Sequence, residues 1–148
     1  MTERYVGARA LWRTETFREL FVTFADPEVI GMSAIAGLLK PVARLDKHGL
    51  HVRLSPDDDA AIVLDTPIAP GYMRRIGISG YRAMPAGRKY RPGLSAGSIA
   101  LDGERELSFS ESDDVTIELV QGAFKTVNVS ACMQYAARHG LMRVTPKN

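Results

Sequence analysis

Cys132 is the single cysteine of a 148-residue chain. No intrachain disulfide can form, so a packed core has to hold the fold, as it does in reducing compartments. No apolar run approaches the roughly 20 residues that a membrane-crossing helix needs. Residues 2–13 lack the apolar segment of a secretory leader. The chain therefore reads as cytoplasmic, with no membrane partner. Net charge is only +2, which gives no general attraction to nucleic acid, and none is expected as a partner. Signatures of chemistry are missing as well. There is no G-x-G-x-x-G and no G-x-x-x-x-G-K-[ST], and Gly31-Met-Ser-Ala-Ile35 lacks the second glycine of a nucleophile elbow. His48, His51 and His139 have no metal-ligand spacing with one another or with Cys132. No residue is assigned as catalytic, and none as a metal ligand.

Hydrophobic residues at 45% and charged residues at 24% are ordinary for a globular protein, and the length suits a single domain over residues 1–148. Alternation predicts a strand over 4–12. Thr16 and Glu19 have the spacing of a capping box, and Phe17, Leu20, Phe21 and Phe24 fall at i, i+3, i+4 and i+7, which predicts a helix stopped by Asp26-Pro27. A second short helix opens in Gly31-Met-Ser-Ala-Ile-Ala-Gly37, with Ser33 as its N-cap and Pro41 beyond its end. Leu50, Val52 and Leu54 alternate with His51 and Arg53 in a strand, and Ser55-Pro-Asp-Asp-Asp59 makes a solvated turn.

The continuous apolar run 61–64 reads as a strand buried on both faces. Thr66-Pro67 and Ala69-Pro70-Gly71 force a rigid corner, because each proline fixes its own φ and restrains the residue before it. A further strand spans 73–78. Residues 82–97 read as a loop, followed by short strands over 98–101, 105–109, 115–119 and 124–129. Ser130 caps a last helix over 131–139, with Gly140 just past its end. The expectation is a mostly β, α+β fold: a β-sandwich with two or three short helices.

Three groups of residues can carry a function. The glycine-led helix start at Gly31, Ser33 and Ala34 offers free N–H groups to a phosphate, or is ordinary capping and packing. Arg74 and Arg75 open a stretch in which Arg74, Arg75, Arg82, Arg88, Lys89 and Arg91 occur without one carboxylate between Thr66 and Ala100. Such residues can converge on an anion, or simply solvate a surface. Asp102-Gly103-Glu104 is the favoured two-residue hairpin turn; alternatively it sets a carboxylate beside a phosphate-bearing ligand.

The string Ala61-Ile-Val-Leu-Asp-Thr-Pro-Ile-Ala-Pro70 resembles the strand and Thr-Pro-Ile-(Ala/Cys)-Pro corner in the C-terminal domain of NAD kinases. Ser98-Ile-Ala-Leu-Asp-Gly-Glu104, followed by Asp114-Val-Thr-Ile117, resembles the family's Asp-Gly-Gln/Glu hairpin and the strand after it. Residues 31–37 stand where the family has Gly-Ser-Thr-Ala-Tyr, without the Pro-Thr-Gly and Tyr parts. Within the ATP-NAD kinase superfamily, the strings at 31–37 and 100–106 most resemble the AcoX-like branch, associated with acetoin catabolism.

The resemblance implies a nucleotide-binding and oligomerising C-terminal portion of a kinase-like protein. Its ligand would be an NAD-like dinucleotide bound at Gly31, Ser33, Ala34, Arg74, Arg75, Asp102, Gly103 and Glu104. The Gly-Gly-Asp-Gly-Thr motif of the N-terminal kinase domain is absent from this chain. The partners implied are that domain, missing or separately encoded, and further copies of the chain. ATP with Mg²⁺ belongs to the complete protein, no cofactor is intrinsic to this chain, and the chain alone is expected to be inactive. The other reading is a stand-alone β-rich binding or interaction module that has lost kinase chemistry.

Overall fold

The computed structural model describes residues 17–101, 105–123 and 125–144. The expected strand over 4–12, Thr16, and the Asp102-Gly103-Glu104 group lie outside them.

Four antiparallel strands build the main sheet: Glu19–Val22 (β1), His48–Ser55 (β2), Ile62–Ala69 (β3) and Tyr72–Pro85 (β4), in the order β1-β2-β4-β3. Period-2 alternation decides which face each side chain takes. Leu50, Val52 and Leu54 of β2 and Ile76 and Ile78 of β4 point to one face, joined by partly buried Leu20, Val22, Ile62 and Leu64. The helix Met32–Leu39 (α1) covers this face through Ile35 and Ala36, both fully buried. A bulge between Arg53 and Leu54 leaves Ser79 unpaired in β4 and keeps Ile78 in the core beyond it.

On the opposite face, Phe21 and Met84 meet Tyr90 and Leu119 in a smaller cluster. These last two come from a ribbon in which Lys89–Tyr90 (β5) pairs with Ile117–Glu118 (β8); Gly97–Leu101 (β6) and Arg105–Phe109 (β7) form a second ribbon. The fold is mostly β, of the α+β class, with antiparallel sheets and two short helices among the described residues.

Several expectations need correction. The phenylalanine-rich segment predicted as a helix is β1, an edge strand. Its stripe is ambiguous, because Leu20 and Val22 serve one sheet face while Phe21 serves the other, so both faces are covered. Aromatic and β-branched residues favour that pleated, two-sided packing. β3 is not buried on both faces: it is the other edge of the sheet and alternates in burial. Edge position is what lets the strand run through Pro67, whose missing N–H would break a central ladder. The rigid corner is thus a hairpin, with Met73 opposite Pro67 and the turn at Pro70-Gly71, where Gly71 takes φ 71°. Residues 82–85 belong to β4 rather than to a loop. Residues 125–128 form no strand; they lead into the helix Val129–Arg138 (α2).

Both helices exist where expected, but their caps are shifted. α1 begins at Gly31, at φ 104°, not at Ser33. α2 is capped by Asn128, whose Oδ1 accepts from the Ala131 N–H at 2.9 Å, not by Ser130. α2 buries none of its side chains, so this cap is a main support. Asn128→Ala is expected to cost about 1 kcal/mol of helix stability. Amide exchange within α2 should then accelerate several-fold, and unchanged protection would refute the cap's role.

Candidate anion-binding site

The only histidine buried among the described residues is His51, 4% exposed, on the face of β2 opposite Leu50 and Val52. Register places it between Phe21 of β1 and Arg82 of β4. The Phe21 ring stacks on it at 4.3 Å, with planes 9° apart. Each ring nitrogen has a partner: Arg82 Nε lies 3.1 Å from Nδ1, and Glu19 Oε2 lies 3.0 Å from Nε2. Arginine can only donate, so Nδ1 is an acceptor, and the neutral ring carries its hydrogen on Nε2 and donates it to Glu19. The other Glu19 oxygen, Oε1, accepts the Gly93 N–H at 2.9 Å. Glu19, His51 and Arg82 thus form one chain of hydrogen bonds across three strands, tied at its end to the segment after β5.

Arg82 leads from this chain into a basic cleft. Its guanidinium carbon lies 5.4 Å from the Tyr90 ring centroid and that of Arg88 lies 5.6 Å from it, within cation–π range. An open cleft of about 680 Å³ is lined by Arg82, Arg88, Lys89, Tyr90, Arg91, Asp114 and Thr116. A smaller one of about 310 Å³ continues to Glu19, His51 and Arg53 and shares Arg82 and Arg91. Arg91 pairs with Asp114 at 2.9 Å, but both side chains are largely exposed, so the pair is worth little and leaves Arg91 available to a stronger anion. The position is set by the fold: β5 pairs with β8, and the Gly87 N–H donates to the Leu119 carbonyl at 3.0 Å, pinning residues 87–91 over the end of β4. Three guanidinium groups and one ammonium around one open cleft suit a phosphate or carboxylate, not a cation.

Burial pushes the His51 pKa below its ordinary 6.5; the hydrogen bond and charge of Glu19 oppose this, and the charges of Arg82 and Arg53 add to it. As pH falls, the unfolded chain takes up the proton before the folded ring does, so the unfolded state gains stability. Folding stability is therefore expected to drop as pH falls below about 6.5 and to level off once the folded ring protonates. Urea midpoints between pH 8 and 5 would measure this. The drop should shrink in His51→Asn, and an equal drop in the variant would remove His51 as its source.

The residues singled out from the sequence do not gather here. Arg74 and Arg75 lie on opposite faces of β4, opposite Thr66 and Asp65, and Arg75 reaches Asp65 at 3.9 Å. The Gly31 N–H is taken by the Pro67 carbonyl at 2.9 Å and Ala34 is fully buried, whereas Gly31 is partly exposed and Ser33 exposed. α1 covers the sheet face away from His51 and Arg82, which separates the helix start from the basic cleft. Leu101 pairs with Arg105 on either side of the undescribed Asp102-Gly103-Glu104.

Among the described residues, no group of three or more His, Cys, Asp or Glu is placed to hold a metal ion. Glu19, His51, Tyr90 and Gly93 are additions that spacing could not supply. The only signal for His51 was its place inside an apolar alternation.

The family model of the acetoin catabolism protein X C-terminal domain matches residues 1–122. Acetoin catabolism protein X of Cupriavidus necator is 46% identical over 145 residues, which cover 98% of this chain and 40% of that protein. The chain thus spans about 40% of the length of the curated relative it matches. No solved structure gives a significant match. No helix among the described residues is long and apolar enough to cross a membrane. With 122 of its 148 residues matched by that one model, the chain belongs to the acetoin catabolism protein X C-terminal domain family.

Proposed function

We propose that this chain is the nucleotide-binding and self-associating part of an acetoin catabolism protein X-like protein, and that its ligand is an NAD-like dinucleotide. The observation that supports this reading is the gathering of Arg82, Arg88, Lys89 and Arg91 around one open cleft. A dinucleotide brings a pyrophosphate, whose charge stays constant near neutrality, and guanidinium groups pair with its oxygens in bidentate fashion. The kinase step belongs to a partner domain carrying a Gly-Gly-Asp-Gly-Thr motif, which would bring ATP and Mg²⁺. The lining of the cleft, Arg82, Arg88, Lys89 and Arg91, offers contacts to the phosphates of such a ligand.

Self-association is supported by apolar surface at the β3–β4 hairpin, where Val63, Tyr72 and Met73 are exposed, and along α2, where Val129, Met133 and Tyr135 are exposed. Such surface is usually covered by symmetric pairing. Light scattering at high micromolar concentration should give a dimer or larger species.

A thermal-shift series with NAD, NADP, ATP and Mg²⁺ tests the ligand. A ligand at 100 times its Kd adds about 2.7 kcal/mol to apparent stability. NAD or NADP is expected to raise the Tm by several degrees without Mg²⁺. No shift with any of the nucleotides at millimolar concentration would end this reading. Asp102→Asn removes a charge but keeps a turn-compatible residue. It is expected to weaken NAD binding more than Glu104→Gln does, and equal wild-type affinity in both would assign Asp102 to the turn alone.

A further inference from the structure

Arg82 is held in a way that the other basic residues of the cleft are not. Its Nε–H donates to His51 Nδ1 at 3.1 Å, and its guanidinium sits over Tyr90. With Nε occupied, the two Nη groups remain as a fork for an anion. The acceptor that fixes this fork belongs to a titratable ring.

We propose that the Glu19–His51–Arg82 chain is a proton-gated anion clamp. Neutral His51 orients Arg82 to grip a phosphate-class dianion in the basic cleft, and protonation of His51 releases that grip. This rests on the anion-binding reading of the cleft given above. The step is simple to balance: one proton from solvent adds to His51 Nδ1, and the Arg82 Nε–H···Nδ1 hydrogen bond is lost. The imidazolium then presents an N–H to an N–H, so Arg82 has to turn away.

Two effects compete at the cleft when the proton arrives. An added positive charge attracts an anion, whereas loss of the oriented fork weakens the contact. The groups facing His51 decide between them. Glu19 of β1 lies 3.0 Å away and neutralises the new charge locally. Arg53 of β2 and Arg82 of β4 are already cationic, Arg91 lines the same small cleft, and Phe21 offers only its ring. The added charge is therefore spent on Glu19, and the lost orientation dominates. Generic electrostatics predicts tighter anion binding at low pH, and the clamp predicts weaker binding.

Sulfate is the suitable probe, because its charge does not change between pH 8 and pH 5. Its affinity for the wild-type chain is expected to fall about tenfold over that range, the value of one hydrogen bond to a charged group. His51→Asn, which keeps an acceptor near the Nδ1 position but cannot take up the proton, should bind sulfate with little pH dependence. Arg82→Lys keeps the charge but lacks Nε, and should bind more weakly and equally at both pH values. The Arg82 Nε–H resonance gives an independent readout that needs no ligand: it should shift as His51 titrates in the wild type and stay fixed in His51→Asn.

Wild-type sulfate affinity that rises or stays constant as pH falls would overturn the clamp while leaving the anion site intact. An Arg82 Nε–H signal indifferent to His51 titration would overturn it without reference to any anion. No sulfate binding at pH 8 would instead overturn the anion-binding reading itself, and the gating function with it.

Discussion

Alanine at position 37 is expected to destabilise the chain by roughly 3 kcal/mol, the upper part of the usual range for overpacking. For a chain of this size that corresponds to a Tm lower by about 10 °C. The sign is unusual, because Gly→Ala inside a helix ordinarily stabilises by up to about 1 kcal/mol. Gly37 lies in α1, where a Cβ would run into the carbonyl group of Asp26 and sit 2.7 Å from the Pro27 nitrogen. These are backbone atoms and cannot swing aside as a side-chain end can. The segment is fixed in turn, since Ala25 and Val42 exchange two backbone hydrogen bonds of 3.0 and 2.9 Å. A Tm equal to or above the wild type in Gly37→Ala would contradict the close approach of α1 to this segment.

A cavity at the centre of the main sheet is the second large effect. Ile78 is fully buried in β4, opposite Leu54 of β2 on one side and Ile62 of β3 on the other. Because β4 is paired on both edges and α1 covers the face, the surroundings cannot collapse into the space left by truncation. Ile78→Ala is expected to cost 2–5 kcal/mol, about the range for large-to-small core substitutions. Leu107→Ala is the matching control: Leu107 is 58% exposed on the β6–β7 ribbon, and its loss should stay near 0.5 kcal/mol or below, as for an ordinary surface change. Urea unfolding with a common slope measures both. A loss under about 1 kcal/mol at Ile78 would mean that the sheet core is not packed as described.

Much of the fold was legible because its strongest periodicities coincide with its best-packed elements. β2 shows its alternation directly, and the helices α1 and α2 end where glycine or proline stops them. The failures share a cause. Phe17, Leu20, Phe21 and Phe24 satisfy a helical stripe, yet Leu20 and Phe21 serve the two faces of a strand, and local spacing cannot choose between them. Glu19 has the spacing of a capping box with Thr16, whereas its carboxylate binds His51 and Gly93, which lie 32 and 74 residues away. Thr66-Pro67 reads as part of the rigid corner rather than of the strand, because edge position is a property of the sheet and not of the dipeptide. The basic residues of 82–91 were visible as a charge run. Their convergence needed β5 to pair with β8 and Arg82 to sit opposite His51 in register. Arg74 and Arg75 were adjacent in sequence and, for that very reason, on opposite faces of a strand.

The most direct test of the account is a backbone and arginine side-chain NMR titration of the labelled chain with NAD at pH 8. Saturable shifts are expected, centred on Arg82, Arg88, Tyr90, Arg91 and Gly93, with the Arg82 Nε–H among the largest. Shifts confined to residues 31–34, or none at millimolar NAD, would contradict it.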